Sequence, residues 1–354
     1  MHLLGFSITR LSGGCRRLNR LNFPTAPTPH HNQGKAKQEQ PRKGYGIMPA
    51  TCLEDFMFFR QLTVYRLETP CPDFTTLDAT LSAKPFMPTR AQQVESVGWQ
   101  PALGTLFVHE TDGAARIVLQ REERSVPAAV VREEADNRLR ARGGATGEPT
   151  RAERSAMQDA VMLDLLPQAF PRQGQTQAII DAKQTQVWFD TATATKVERL
   201  SLQLREALGQ WRMVPLFGSQ DISSHLSAWL LGAPPLGFEI GEAAKLVDLR
   251  EGSTITVAKL ALPDPHVMAH LHEGMKVDQL ELIWQEQIRF MLKADGSLAR
   301  IKPTEQLGAE ESGEIIDDAD QQRDADQRLM VEALRRLILD LTRVLNAPIE
   351  PATV

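Results

Sequence analysis

The stretch LELIWQEQIRFMLKADGSLARIK, Leu280–Lys302, decides the fold, because it reads as a long β-hairpin. Asp295-Gly296 is a two-residue turn signal: the favoured hairpin turns need positive φ, which Gly and Asp tolerate. Such a turn sets Ala294 against Ser297, Lys293 against Leu298, Met291 against Arg300, and Arg289 against Lys302. Side chains alternate faces along a strand. Ile288, Phe290, Leu292 and Ile301 therefore make a core face, and Arg289, Met291, Lys293, Leu298, Arg300 and Lys302 share the other. Like charges directly opposite each other destabilise a sheet unless something anionic lies over them. A phosphate backbone is the natural anion, because each phosphate neutralised releases counterions. The alternatives are a solvated basic face, or pairing with acids from elsewhere in the chain.

Working outward, Phe58–Leu67 reads as a strand, and Asp73 caps a helix bearing Phe74, Leu77 and Leu81. Thr105–Val108 and Ala115–Leu119 flank a hairpin signal at Asp112-Gly113. One helix starts at Pro127, a Gly-rich break follows over Arg142–Pro149, and a second helix runs to Leu166. Ala178–Asp181 and Gln186–Asp190 form a strand pair, and Val197, Leu200, Leu204 and Leu208 trace a helix ended by Gly209. Met213–Phe217 is a strand and Asp221–Leu231 a helix. Thr254–Leu260 is a strand and Asp264–Glu273 a helix, and the chain closes with a helix from Gln322 to Leu345. That last helix has an apolar docking side, with Arg335 and Arg336 on its solvated side. Hairpins among interleaved helices predict an α+β fold with mixed, mainly antiparallel sheets, not a doubly wound one.

With 354 residues, 42% of them hydrophobic, the chain can build a sizeable core, and no apolar run approaches a membrane span. Cys15, Cys52 and Cys71 have neither metal-ligand nor redox spacing, which fits a reducing, cytoplasmic setting. The net charge is −5, unevenly spread: residues 1–50 hold eight Lys/Arg and one acid, Glu39, and the remainder is net −12. An acidic body can still bind a polyanion when its cations share one surface. Residues 1–56 mix Pro, Gly, Gln, His and Lys without apolar period. They read as a disordered leader or an upstream-start extension, with Met48 or Met57 as the functional start, ahead of a folded region 57–354.

No phosphate-binding loop, dinucleotide fingerprint, zinc-protease helix, nucleophile elbow or Cys/His quartet is present, which lowers the expectation of catalysis, metal or cofactor. His266 and His270 stand four apart, a spacing that can hold one metal, but His272 faces away, and capping or exposed histidines are the simpler reading. Asp317-Asp318 and Glu310-Glu311 fall in a polar stretch that reads as a solvated loop. Lys259 and Lys276 are further candidate cations. In Leu165–Arg172, two prolines bracket Phe170, which is either a core plug or an anchor presented to a partner.

Several segments, in order, resemble the RdgC family: Phe59–Leu67, Val97-Gly98-Trp99, Leu165–Phe170, Leu282–Phe290 with Asp295–Leu298, and Arg323–Asp326. The resemblance covers nearly all of the chain except the leader. It implies a ring-forming α+β subunit that pairs through two contacts into a homodimer around duplex DNA, with little sequence preference. It further implies a nucleoid-associated protein that restrains RecA-dependent recombination by occupying DNA, without catalysis or cofactor. Phe170 matches an aromatic associated with a subunit contact, and Lys259 a basic position facing the hole. The family's lysine after glycine is Met275 here, with Lys276 one place later. Two other readings stay open: a protein-only regulator of the recombinase, and a metal-dependent DNA-processing enzyme using Asp317 and Asp318.

Overall fold

Among the described residues every pairing between two strands is antiparallel, as the hairpins predict, and one isolated bridge, Pro85 to Trp99, is parallel. The computed structural model describes residues 58–142, 148–218, 220–232, 234–309 and 318–346. The expected leader, with Met48 and Met57, lies outside the described residues, as do Glu310, Glu311 and Asp317.

The first part of the chain gives β1 (Gln61–Leu67), α1 (Phe74–Ser82), β2 (Glu95–Gln100), β3 (His109–Thr111) and β4 (Ala114–Arg124). Next come α2 (Ala128–Arg142), α3 (Arg151–Leu165), β5 (Pro171–Asp181), β6 (Gln186–Phe189), α4 (Ala194–Leu208) and β7 (Met213–Pro215). The last part gives α5 (Ile222–Leu230), β8 (Phe238–Val247), β9 (Thr254–Val257), α6 (Pro265–His272) and β10 (Lys276–Trp284). β11 (Ile288–Lys293), β12 (Leu298–Pro303), α7 (Glu305–Ala309) and α8 (Ala319–Asn346) complete it.

The strands join in the order β2-β4-β5-β6-β1-β12-β11-β10-β8-β9, with β3 on β4 and β7 on β1. β1 is the seam: Gln61 and Leu62 pair with β12, and Thr63–Arg66 pair with β6. One face of the whole sheet packs on α8, whose buried stripe includes Leu334, Leu337, Ile338 and Leu341. That core takes Ile179 and Trp188 from one half of the sheet and Leu282, Phe290 and Leu292 from the other, together with α5 and α6. On the opposite face, α1 and α4 cover only the first half, over Ile117, Leu119, Ile180 and Phe189. α2 and α3 pack on each other through a small separate core of Val131, Ala135, Met157 and Val161.

Several expectations need correction. The long hairpin is a three-strand meander, because the chain also turns at Gln285 and Glu286, both at positive φ (47° and 56°). Neither residue is the Gly or Asn that usually marks such a turn. β2 and β8 were not expected. Each carries a glycine that interrupts the strand pattern, and both are glycines for want of room. A Cβ on Gly98 would lie 2.5 Å from the Phe86 Cα, and one on Gly241 2.6 Å from a Glu281 carboxylate oxygen. Arg335 is not on a solvated side. Its guanidinium donates to both Asp181 carboxylate oxygens (2.8 and 2.9 Å) and to the Asp112 carbonyl (2.9 Å), pinning α8 to the β3–β4 turn.

Candidate nucleic-acid interface

The loop between β11 and β12 is one residue longer than Asp295-Gly296 alone predicts. Lys293 N donates to Ser297 O (3.0 Å) and Gly296 N to Lys293 O (2.9 Å), so Ala294, Asp295 and Gly296 form a three-residue loop. This is a type I turn closed by a glycine bulge. Asp295 Oδ1 accepts from Ser297 N (2.9 Å) and Ser297 Oγ (2.6 Å) and fixes the loop. Gly296 is required twice over: its φ is +80°, and a Cβ there would come 2.8 Å from the Phe217 Cβ.

The extra residue shifts the register, so Leu292 faces Leu298 and Met291 faces Ala299. Leu298 therefore belongs to the core, fully buried, and not to the basic face. Arg300, at φ 53°, then forms a bulge: Arg300 and Ile301 together oppose Phe290. The bulge restores the phase, turns Ile301 into the core and sets Lys302 opposite Arg289, as the simple hairpin also required. Arg300 itself is exposed.

The face away from α8 in this half of the sheet carries Gln61, Lys302, Arg289, Met291, Lys293, Gln279, Glu281, Ile283 and Lys245. None of them belongs to an apolar core. Met291 alone among them is buried. Lys245 is a fourth cation on this open face, invisible from sequence because β8 itself was not foreseen. Carboxylates share the face too: Asp278 pairs with Lys245 at 3.0 Å, and Glu281 stands 3.8 Å from Arg289. The hairpin gives this face three cations, Arg289, Lys293 and Lys302, and no carboxylate, with Arg300 in the bulge, but the sheet is not carboxylate-free, because β10 supplies acids alongside. Among the described residues no carboxylate pairs with Lys293 or Lys302.

The remaining candidates are scattered. Lys259 is exposed at φ 57°, beyond the end of β9, which stops at Val257 and not at Leu260. A residue at positive φ takes the chain out of strand geometry there. Lys276 begins β10, but its ammonium turns to α5, donating to Ser224 Oγ at 3.1 Å with the Asp221 carboxylate at 3.9 Å. Phe170 is 90% exposed, which removes the core-plug alternative. It follows a 3-10 turn at Leu166–Gln168, and the Ala169 carbonyl beside it accepts from Arg124 Nη1 at 2.8 Å. Pro167 helps line an open groove of ≈ 1010 Å³ with Met87, Pro88, Arg90, Gln93 and Ser96.

The enzyme candidates do not converge. Asp318 Oδ1 accepts from Asp320 N (2.9 Å) at the start of α8, and His270 Nδ1 lies 3.3 Å from Glu273. Among the described residues no three His, Cys, Asp or Glu side chains gather as a metal cluster, and no helix is long and apolar enough to cross a membrane.

Comparison with known proteins places this arrangement. A family model described as "Putative exonuclease, RdgC" matches residues 57–347. The chain belongs to the RdgC family. The recombination-associated protein RdgC of Shewanella baltica (strain OS195) is 32% identical over 297 residues, covering 82% of this chain and 98% of that one. The RdgC of Shewanella oneidensis is likewise 32% identical over 297 residues, and that of Shewanella frigidimarina is 31% identical over 281 residues. A recombination-related role follows for this RdgC-family chain, and the resemblance of the segments from Phe59 to Asp326 is explained by it.

Proposed function

We propose that this protein binds double-stranded DNA without sequence preference, as a ring-shaped homodimer, and restrains RecA-dependent recombination by occupying the duplex. The open sheet face carries the reading: Lys302 on β12, Arg289 and Lys293 on β11 and Lys245 on β8 share it, two of them without a carboxylate partner among the described residues. Contacts from such a face go to phosphates, which fix position and carry no sequence information. Arg300 and Lys259 add exposed cations from positions of positive φ, and Lys276 contributes only if it leaves Asp221. Phe170 supports self-association, since a fully presented aromatic is the anatomy of an interface anchor. In a two-fold pair each Phe170 would enter the groove at Met87 and Pro167 of the other copy. The inhibition is steric, needs no cofactor, and places the protein in the cytoplasm on the nucleoid.

The test is a mobility-shift titration on unrelated duplexes of equal length. Equal affinity for all of them, falling steeply with salt, supports the reading, and no binding at low salt removes it and leaves a protein-only regulator of the recombinase. One observation favours a second reading, a metal-dependent DNA-processing enzyme: the family description names an exonuclease. End-labelled DNA incubated with excess protein and Mg²⁺ or Mn²⁺ decides it, and intact label eliminates that activity.

A further inference from the structure

The open face is built with its own counterions. On it or at its edge, Lys245, Arg289, Lys293 and Lys302 are interspersed with Glu239, Asp278 and Glu281. Glu239 lies across from Ile283 and is exposed, and Asp278 is tied to Lys245. Glu281 is held most firmly. One carboxylate oxygen faces Arg289 at 3.8 Å, and the other accepts from the Glu242 backbone N–H at 2.8 Å. Its stem lies over Gly241, where any side chain would displace it, and the side chain is 19% exposed.

A carboxylate fixed in this way cannot swing off the face when an anion arrives. It does two things. It partly neutralises the Arg289 guanidinium, and it repels any phosphate that the guanidinium attracts. The pair itself is partly exposed and long, so breaking it costs little, but the repulsion persists in the complex.

We propose that Glu281 is a positioning residue that acts through Arg289 as a built-in counterion, holding affinity for the DNA backbone down so that bound duplex can exchange or slide. The inference rests on the duplex-binding reading above. It predicts an uncommon sign: removing a side chain from the binding face tightens binding.

The experiment compares wild type, Glu281→Gln, Arg289→Gln and the double variant by anisotropy on labelled duplexes of unrelated sequence, from ~50 to ~200 mM salt. Glutamine keeps an oxygen to accept from Glu242 N and nearly the same volume, so only the charge is lost. Glu281→Gln is expected to bind roughly three- to ten-fold tighter at low salt, with a salt slope steeper by up to about 0.9, one extra phosphate neutralised. The gain should shrink in the Arg289→Gln background, where phosphate is no longer drawn in beside Glu281. Asp278→Asn, which frees Lys245, should shift affinity the same way and covers the case in which Glu281→Gln folds poorly. If both carboxylate variants bind no tighter than a wild type that does bind, the inference falls and duplex binding stands. A gain undiminished without Arg289 also overturns it. A wild type that binds no duplex at any salt overturns the underlying reading instead.

Discussion

The two halves of the sheet are built from similar strands and used differently. In the first half, β4 is buried continuously from Ala114 to Gln120, because α8 covers one face and α1 and α4 the other. In the second half, β10 and β8 alternate buried and half-exposed residues, because only the α8 side is covered. A strand covered on both sides has no period of two to show, whereas a half-covered one displays which side chains it offers to solvent. The cations collect on the uncovered half, so stability and binding should separate along the same line.

Core truncations probe stability hardest. Phe290→Ala and Trp188→Ala sit one in each half of the shared α8 core and should each cost about 3–5 kcal/mol in denaturant unfolding, in one cooperative transition. Two separate transitions would break the picture of a continuous core. Arg335→Ala comes next. It strands the fully buried Asp181 carboxylate and should cost about 3 kcal/mol, and Arg335→Lys should rescue little because it cannot fork across Asp112 and Asp181.

Neutralising Arg289, Lys293 and Lys302 together sharpens the contrast from the other side. Stability should stay within about 0.5 kcal/mol, while duplex affinity at low salt falls about a hundred-fold. Phe170→Ser should weaken self-association by sedimentation and lower the melting temperature only as far as dimerisation contributes to it, a concentration-dependent effect. The smallest effect is the acid response of the β3–β4 turn. Hydrogen bonds from Lys183, and then Arg335, hold the Asp112 carboxyl below its usual range. Its contribution is therefore complete above pH ~4 and is lost as pH falls through the lowered value. The acid-induced drop in melting temperature should shrink in Lys183→Gln.

Much of the fold could be read from the residues. Asp73 caps α1 through Thr76 N at 2.8 Å, Asp112-Gly113 turns β3 into β4, and Gly209 ends α4. What escaped were strands without their usual marks: β8, thinned by Gly241 and two alanines, and the exposed part of β5 over Pro171–Gln175, which is polar. The candidate binding face is half legible in the residues. Arg289 does oppose Lys302, but only because the longer turn and the Arg300 bulge each shift the register by one residue and cancel. A signal was present: Leu298 and Ile301 stand three apart, and two core residues at odd spacing on one strand require a bulge. Lys245 and Glu281 had no such signal, since their relation to the hairpin depends on which strands lie beside it.

If the uncovered half of the sheet is the phosphate-binding surface, the salt dependence of duplex binding must come from its cations. With four cations from each of two subunits at the phosphates, affinity should fall by up to about ten-thousand-fold between ~50 and ~200 mM salt, equally for unrelated sequences, and neutralising Arg289, Lys293 and Lys302 in both subunits should flatten the slope by about five. A slope unchanged in that triple variant would mean that duplex phosphates do not lie on this face.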